Sequence, residues 1–129
     1  MRSIPHQLTR EFSSLIGIEY SKMNCWDVAV KFYKQVLEVE LGSIYSGPTP
    51  PRDVTKGLIY TNIGGFEKVE TPEFGDIIIL KILGIESHIA IYVGNGRMLH
   101  SSKNTGSVID FVSRWQKVIV GFYRIKRAQ

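Results

Sequence analysis

A single cysteine and three histidines carry most of the nucleophilic and proton-transfer capacity that this 129-residue chain offers near neutral pH. Cys25 follows Asn24, a residue type that caps helices by accepting a backbone N–H. Asp27 stands three residues beyond Asn24 as the returning acid of a capping box. The pattern places Cys25 in the first turn of a helix, where unpaired N–H groups and the helix dipole favour negative charge. The sequence therefore predicts a thiol shifted towards thiolate, the form that attacks electrophiles and reacts quickly with alkylating agents. One cysteine cannot close an internal disulfide, so a core filler, an intermolecular cross-link and a metal ligand are the competing roles.

His88 and His100 stand either side of Gly94-Asn95-Gly96, a turn signal between two apolar runs. Side chains alternate along a strand, so the turn decides whether the two rings share a face. A two-residue Asn95-Gly96 loop pairs Ile91 with His100 and separates the rings. A three-residue loop over 94–96 pairs Val93 with Arg97 and Ala90 with His100, making the histidines diagonal neighbours about 7 to 8 Å apart at the backbone. The three-residue form, or another pairing whose residue numbers sum to an even value, is predicted. His88 then takes the proton of Cys25, while His100 accepts a hydrogen bond from the far nitrogen of His88 and fixes its tautomer. His6 falls in the first predicted helix and is read as a surface residue.

The elements that must position these groups are helices first and strands after. Pro5 suits a first helical turn, and Leu8, Phe12, Leu15 and Ile16 give an apolar stripe before Gly17, so a helix is predicted near 5–16. Val28, Phe32, Val36 and Leu37 give the second helix, about 25–38. The prolines of Gly47-Pro48-Thr49-Pro50-Pro51 require a loop, and the stretch after it admits a short helix around Asp53 to Tyr60, ended by Gly64-Gly65. Strands are predicted at 66–69, 77–82, 88–93, 97–101 and 118–125. Helices followed by strands, without alternating βα units, mark an α+β domain.

Length and composition fit one domain over residues 1–129, with 43% hydrophobic residues and no repeats. A net charge of +4 and a pI near 9.3 favour acidic partners. The basic residues are scattered apart from Arg124, Lys126 and Arg127, so no nucleic-acid-binding stripe is expected. No apolar run approaches the roughly 20 residues of a membrane span. Residues 1–20 hold no apolar core of a secretory signal, so synthesis in the cytoplasm without Sec export is expected.

Four motifs occur in a fixed order: Asn24-Cys25-Trp26-Asp27 at a helix start, Gly75-Asp76 before Ile77-Ile78-Ile79, His88-Ile89-Ala90-Ile91-Tyr92-Val93-Gly94-Asn95-Gly96, and Met98-Leu99-His100-Ser101. Together, over about residues 19–107, they resemble the NlpC family of papain-like cell-wall cysteine peptidases. The family pattern places a third polar residue about a dozen positions after the histidine, and His100 follows His88 by twelve. The resemblance implies the papain-like NlpC fold, N-terminal helices on a mostly antiparallel sheet. It implies catalytic Cys25, His88 and His100, no cofactor, and peptidoglycan stem peptides cut between γ-D-glutamate and a diamino acid. Tyr20 matches the family's tyrosine that precedes the nucleophile and contacts the catalytic region. Trp26, beside the thiol, is taken as a second substrate contact, with core packing as its other reading. Asn24, Trp26 and Asp27 replace the commoner Asp, Ser and Gly. These changes, with Arg114-Trp115 and Gly121-Phe122-Tyr123-Arg124, resemble versions attached to phage tails, which makes phage tail proteins expected partners and a virion tail an expected location.

Three rival readings share these residues. Cys25, His88 and His100 could form a zinc site with an open position, but ligand pairs two to four residues apart are missing and no metal is expected. The permuted lipid acyltransferases and thioesterases with a similar His-x-Ala-Ile-Tyr-Val-Gly strand place histidine before cysteine, the reverse of the order here. A non-catalytic tail structural or cell-wall binding protein with a peptidase fold is the reading from a different class.

Overall fold

The computed structural model of the protein describes residues 12–41 and 65–126. In chain order these form a 3-10 turn Ser13–Leu15, helix α1 (Cys25–Val36), strands β1 (Phe66–Val69), β2 (Ile77–Ile82), β3 (Ile85–Gly94), β4 (Arg97–Ser102) and β5 (Gly106–Phe111), a 3-10 segment Val112–Val118, and β6 (Ile119–Ile125). All six strands join one antiparallel sheet in the order β1-β6-β2-β3-β4-β5. The last strand returns to the interior between β1 and β2.

Helix α1 starts as its sequence dictates. Asn24 Oδ1 accepts from the Asp27 amide at 2.9 Å, and the Asn24 amide donates to Asp27 Oδ2 at 3.0 Å. This reciprocal cap satisfies two of the helix's unpaired donors and fixes where Cys25 enters it. Val28, Ala29, Phe32, Tyr33 and Val36 recur at helical spacing and are buried, packing in one cluster with Ile77, Ile79, Ile89, Ile91 and Leu99 of the sheet. Burying each large aliphatic or aromatic side chain is worth about 1.5–3 kcal/mol, so this face supplies much of the fold's driving force. The opposite face carries Ile78, Leu80, Ala90 and Met98, covered by Val112, Trp115 and Val118 of the 3-10 segment. Because both faces are covered, Ile77 to Leu80 read as an unbroken aliphatic run rather than an alternating one.

The β3–β4 hairpin departs from expectation in its loop and agrees in its register. Gly94 pairs with Arg97, leaving a loop of only Asn95 and Gly96, with φ of 54° and 72°. Both values are left-handed, as a two-residue primed turn requires. Yet Ile91 pairs with Leu99 and Tyr92 with Met98, both even sums, because a bulge between Tyr92 and Gly94 absorbs the odd residue. His88 and His100 therefore share the face that carries Ala90 and Met98.

Other differences are local. Only the 3-10 turn Ser13–Leu15 lies in the described part of the predicted first helix, and residues 5–11 fall outside the described residues, as do the 47–51 loop and the 53–60 helix. β5 and the 3-10 segment were not expected. β5 anchors the stretch leading to Tyr20: the Ser107 amide donates to Ile18 O at 2.9 Å, and the Gly17 amide to Ser107 O at 2.8 Å. Gly106 has φ 69°, and a Cβ there would stand 2.6 Å from Ile18 O, so this contact requires glycine.

Candidate active site

His88 lies in β3 opposite Leu80, and His100 lies in β4 opposite Val108. The shared face brings their rings into direct contact, with His88 Nε2 2.9 Å from His100 Nδ1 and the ring planes 83° apart. This arrangement leaves Nδ1 of His88 for another partner. It also continues beyond His100, because Asp110 on β5 points to the same face and its Oδ2 stands 3.6 Å from His100 Nε2. That separation is in the ion-pair range and longer than a hydrogen bond, and His100 Nε2, on a side chain only 2% exposed, makes no hydrogen bond among the described residues.

Asp110 is itself held from three sides. Oδ1 accepts from the Phe111 amide at 2.8 Å and from Arg114 at 3.2 Å, and Oδ2 accepts from Trp115 Nε1 at 3.0 Å. These donors hold its carboxyl below the usual range against the opposing effect of burial. The Trp115 ring then covers both imidazoles. Sequence reasoning missed Asp110 and Trp115 as members of this group. The signal for Asp110 was its parity: with Val108 opposite His100, a residue two further along the same strand shares the face.

Cys25 sits at the first position of α1 and is 4% exposed. Burial pushes its thiol up to about 11, and nearby Asp27 adds to the rise, while the backbone N–H groups of Ile89, Trp26 and Cys25 itself pull the other way. Loss of hydration therefore opposes the helix terminus, which favours the thiolate. The Ile89 amide belongs to the residue after His88, so the sulfur lies beside the main chain of β3 where the base is attached. No hydrogen bond joins the thiol to either imidazole among the described residues. Burial, with His100 as a second contributor, also lowers His88 to about 3, and burial lowers His100 in spite of Asp110. Burial thus disfavours the charged form of all three groups.

Tyr20 is half-buried near the thiol. Its hydroxyl is pushed up to about 12, first by burial and then by the proximity of Cys25 and Asp27. Trp26, expected to touch substrate, is 3% exposed and packs in the core from the first turn of α1, with its Nε1 unpartnered among the described residues. Among the described residues no group of three or more His, Cys, Asp or Glu is arranged to hold a metal, and no helix is long and apolar enough to cross a membrane.

The family model described as NlpC/P60 matches residues 13–124. No curated protein sequence gives a significant match. Among solved structures, the NlpC/p60 domain of the peptidoglycan hydrolase SagA aligns over 93% of this chain and 96% of its own, with 16% identity and a TM-score of 0.61. The P60 domain of a Mycobacterium avium subspecies paratuberculosis antigen covers 93% of each chain at 18% identity and TM-score 0.60. The peptidoglycan hydrolase RipB from Mycobacterium tuberculosis aligns over 96% of this chain and 70% of its own, at 16% identity and TM-score 0.62. At these identities the structural likeness speaks for the papain-like α+β fold, while the sequence family spans nearly all of the described residues. The chain belongs to the NlpC/P60 family of cell-wall cysteine peptidases.

Proposed function

We propose that the protein hydrolyses peptidoglycan stem peptides at the γ-D-glutamyl to diamino acid bond, with Cys25 as nucleophile, His88 as general base and His100 orienting that base. The observation that carries this reading is the 2.9 Å contact between His88 Nε2 and His100 Nδ1, which leaves the other nitrogen of His88 for proton transfer. Membership of the family supplies the reaction class. The solved neighbours named as peptidoglycan hydrolases support the substrate class.

In this mechanism Cys25 Sγ attacks the scissile carbonyl carbon as its proton passes to His88 Nδ1. The developing oxyanion is met by N–H groups at the start of α1. Collapse breaks the C–N bond, and His88 returns the proton to the departing amine. Water then attacks the thioester, His88 again takes the proton, and the free γ-carboxyl leaves with the thiol restored.

Incubation with purified peptidoglycan, beside Cys25→Ala, tests the reading. New free amino groups from the wild type alone are expected, and equal release from both proteins would remove the nucleophile. The burial of Cys25 favours one second reading, a wall-binding or tail structural protein in which the fold persists without turnover. Binding of peptidoglycan without release of amino groups is its signature. Attachment to a phage tail, with delivery by a virion or by lysis, is supported by the Asn24, Trp26 and Asp27 variation around the nucleophile. Mass spectrometry of purified particles lacking the polypeptide would count against it.

A further inference from the structure

The His88–His100 contact is compatible with two proton arrangements, and only one is useful. If His88 Nε2 carries the hydrogen and donates to His100 Nδ1, the lone pair of His88 lies on Nδ1 and can accept a proton. If His100 Nδ1 is the donor, His88 carries its hydrogen on Nδ1 and cannot act as a base. Nothing in the two rings alone selects between these.

We infer that Asp110 is a positioning residue that makes the selection, acting through His100 as the far end of a Cys25–His88–His100–Asp110 chain. The inference rests on the proposed triad and extends it by one residue. A carboxylate can only accept, so at 3.6 Å from His100 Nε2 it favours a hydrogen on that nitrogen and repels a lone pair there. His100 is then the Nε2–H tautomer, its Nδ1 is an acceptor, and His88 must donate from Nε2. The direction of each proton along the chain is thus set by one carboxylate. Among the described residues His100 Nε2 is buried without a hydrogen-bond partner, and Asp110 is the carboxylate within ion-pair range of it. Asp110 in turn cannot swing away, because the Phe111 amide, Arg114 and Trp115 Nε1 hold both its oxygens.

The test is Asp110→Asn, which removes the negative charge that favours a hydrogen on His100 Nε2. Two readouts are needed. Long-range nitrogen–proton NMR of the wild type, which has only three histidines to assign, should show His100 as the neutral Nε2–H tautomer at pH 7. In Asp110→Asn that signal should shift wholly or partly to the Nδ1–H form. On peptidoglycan fragments, kcat should fall at least tenfold with KM within twofold of the wild type, and Asp110→Glu should recover part of the loss. An Nδ1–H tautomer for His100 in the wild type overturns the inference even where the variant fails to fold. A folded Asp110→Asn with wild-type kcat overturns it too. If Cys25→Ala retains activity, the triad itself fails, and the tautomer measurement still decides the role of Asp110 independently.

Discussion

The indole of Trp115 lies over the His88 imidazole, with ring centroids 6.3 Å apart and planes 26° from parallel, and stands edge-to-face with His100 at a centroid distance of 5.3 Å. The same side chain donates from Nε1 to Asp110. Burial is the main reason His88 is lowered from 6.5 to about 3, so removing the indole admits water and relaxes that effect. Trp115→Ala should raise the His88 titration midpoint towards 6.5, read from its ring protons by NMR. It should also lower kcat, because Asp110 loses one of its three anchors. A His88 midpoint that does not move would show that the indole is not what keeps water from the ring.

The pH dependence of stability arises from the same buried groups. His88 and His100 have lowered values in the folded protein, so their contribution is fully present above the unfolded value of 6.5 and is lost as pH falls towards about 3. Cys25 is raised from 9.0 to about 11, so its contribution is present below 9.0 and lost as pH rises through 11. Thermal unfolding midpoints should therefore be highest between about pH 7 and 9 and fall on both sides. His88→Gln should flatten the acid side, since an uncharged replacement has no proton to gain on unfolding. An acid limb identical to that of the wild type would mean that other groups set it.

Alkylation of Cys25 should be slow at pH 7 and accelerate as pH climbs towards 11, because the reactive thiolate forms only there. His88→Ala should change the rate at pH 7 by less than about threefold, since a neutral imidazole supplies no charge to hold a thiolate. Iodoacetamide labelling followed by mass spectrometry measures both. Rapid, His88-dependent labelling near neutral pH would instead show the pre-formed thiolate that the helix position suggests.

What could be read from the sequence was whatever depends on local pattern. The Asn24–Asp27 cap, the apolar stripe of α1 and the β3–β4 register are set by spacing and turn chemistry over a few residues. The loop length was misjudged because a two-residue turn plus a bulge gives the same parity as a three-residue loop, and parity was the quantity the histidines constrain. The thiol's pKa was not legible, because it depends on depth of burial, which tertiary packing sets and no local motif reports. Asp110 was hidden for a related reason. β5 opens on Gly106 and Ser107 and sets Val108 beside Ile109, so no alternation marked it as a strand, although its pairing with β4 is what brings the carboxylate to His100.

Asp76, at the other end of β2 and β3 from His88, offers a test of stability kept apart from chemistry. Its carboxylate is buried and receives the Arg124 guanidinium through both oxygens, Nε to Oδ1 at 3.0 Å and Nη2 to Oδ2 at 2.8 Å, with the Glu73 amide adding a third donor at 2.7 Å. Its backbone accepts from the Tyr92 amide at 2.8 Å, so the pair ties β6 to the start of β2 and the end of β3. Arg124→Ala leaves that carboxylate buried with one remaining donor, a change that costs several kcal/mol for a fully buried pair. The guanidinium is about one-third exposed, and solvent screening reduces the expected loss to about 2 kcal/mol. Arg124→Lys should fall between, because a point charge cannot reproduce the two-pronged contact. Asp76→Asn in the Arg124→Ala background should recover part of the loss by removing the stranded charge. Urea unfolding measures each step, and kcat of the folded variants should stay at the wild-type value. A loss of kcat that tracks the loss of stability would show that the two ends of β2 and β3 are mechanically coupled.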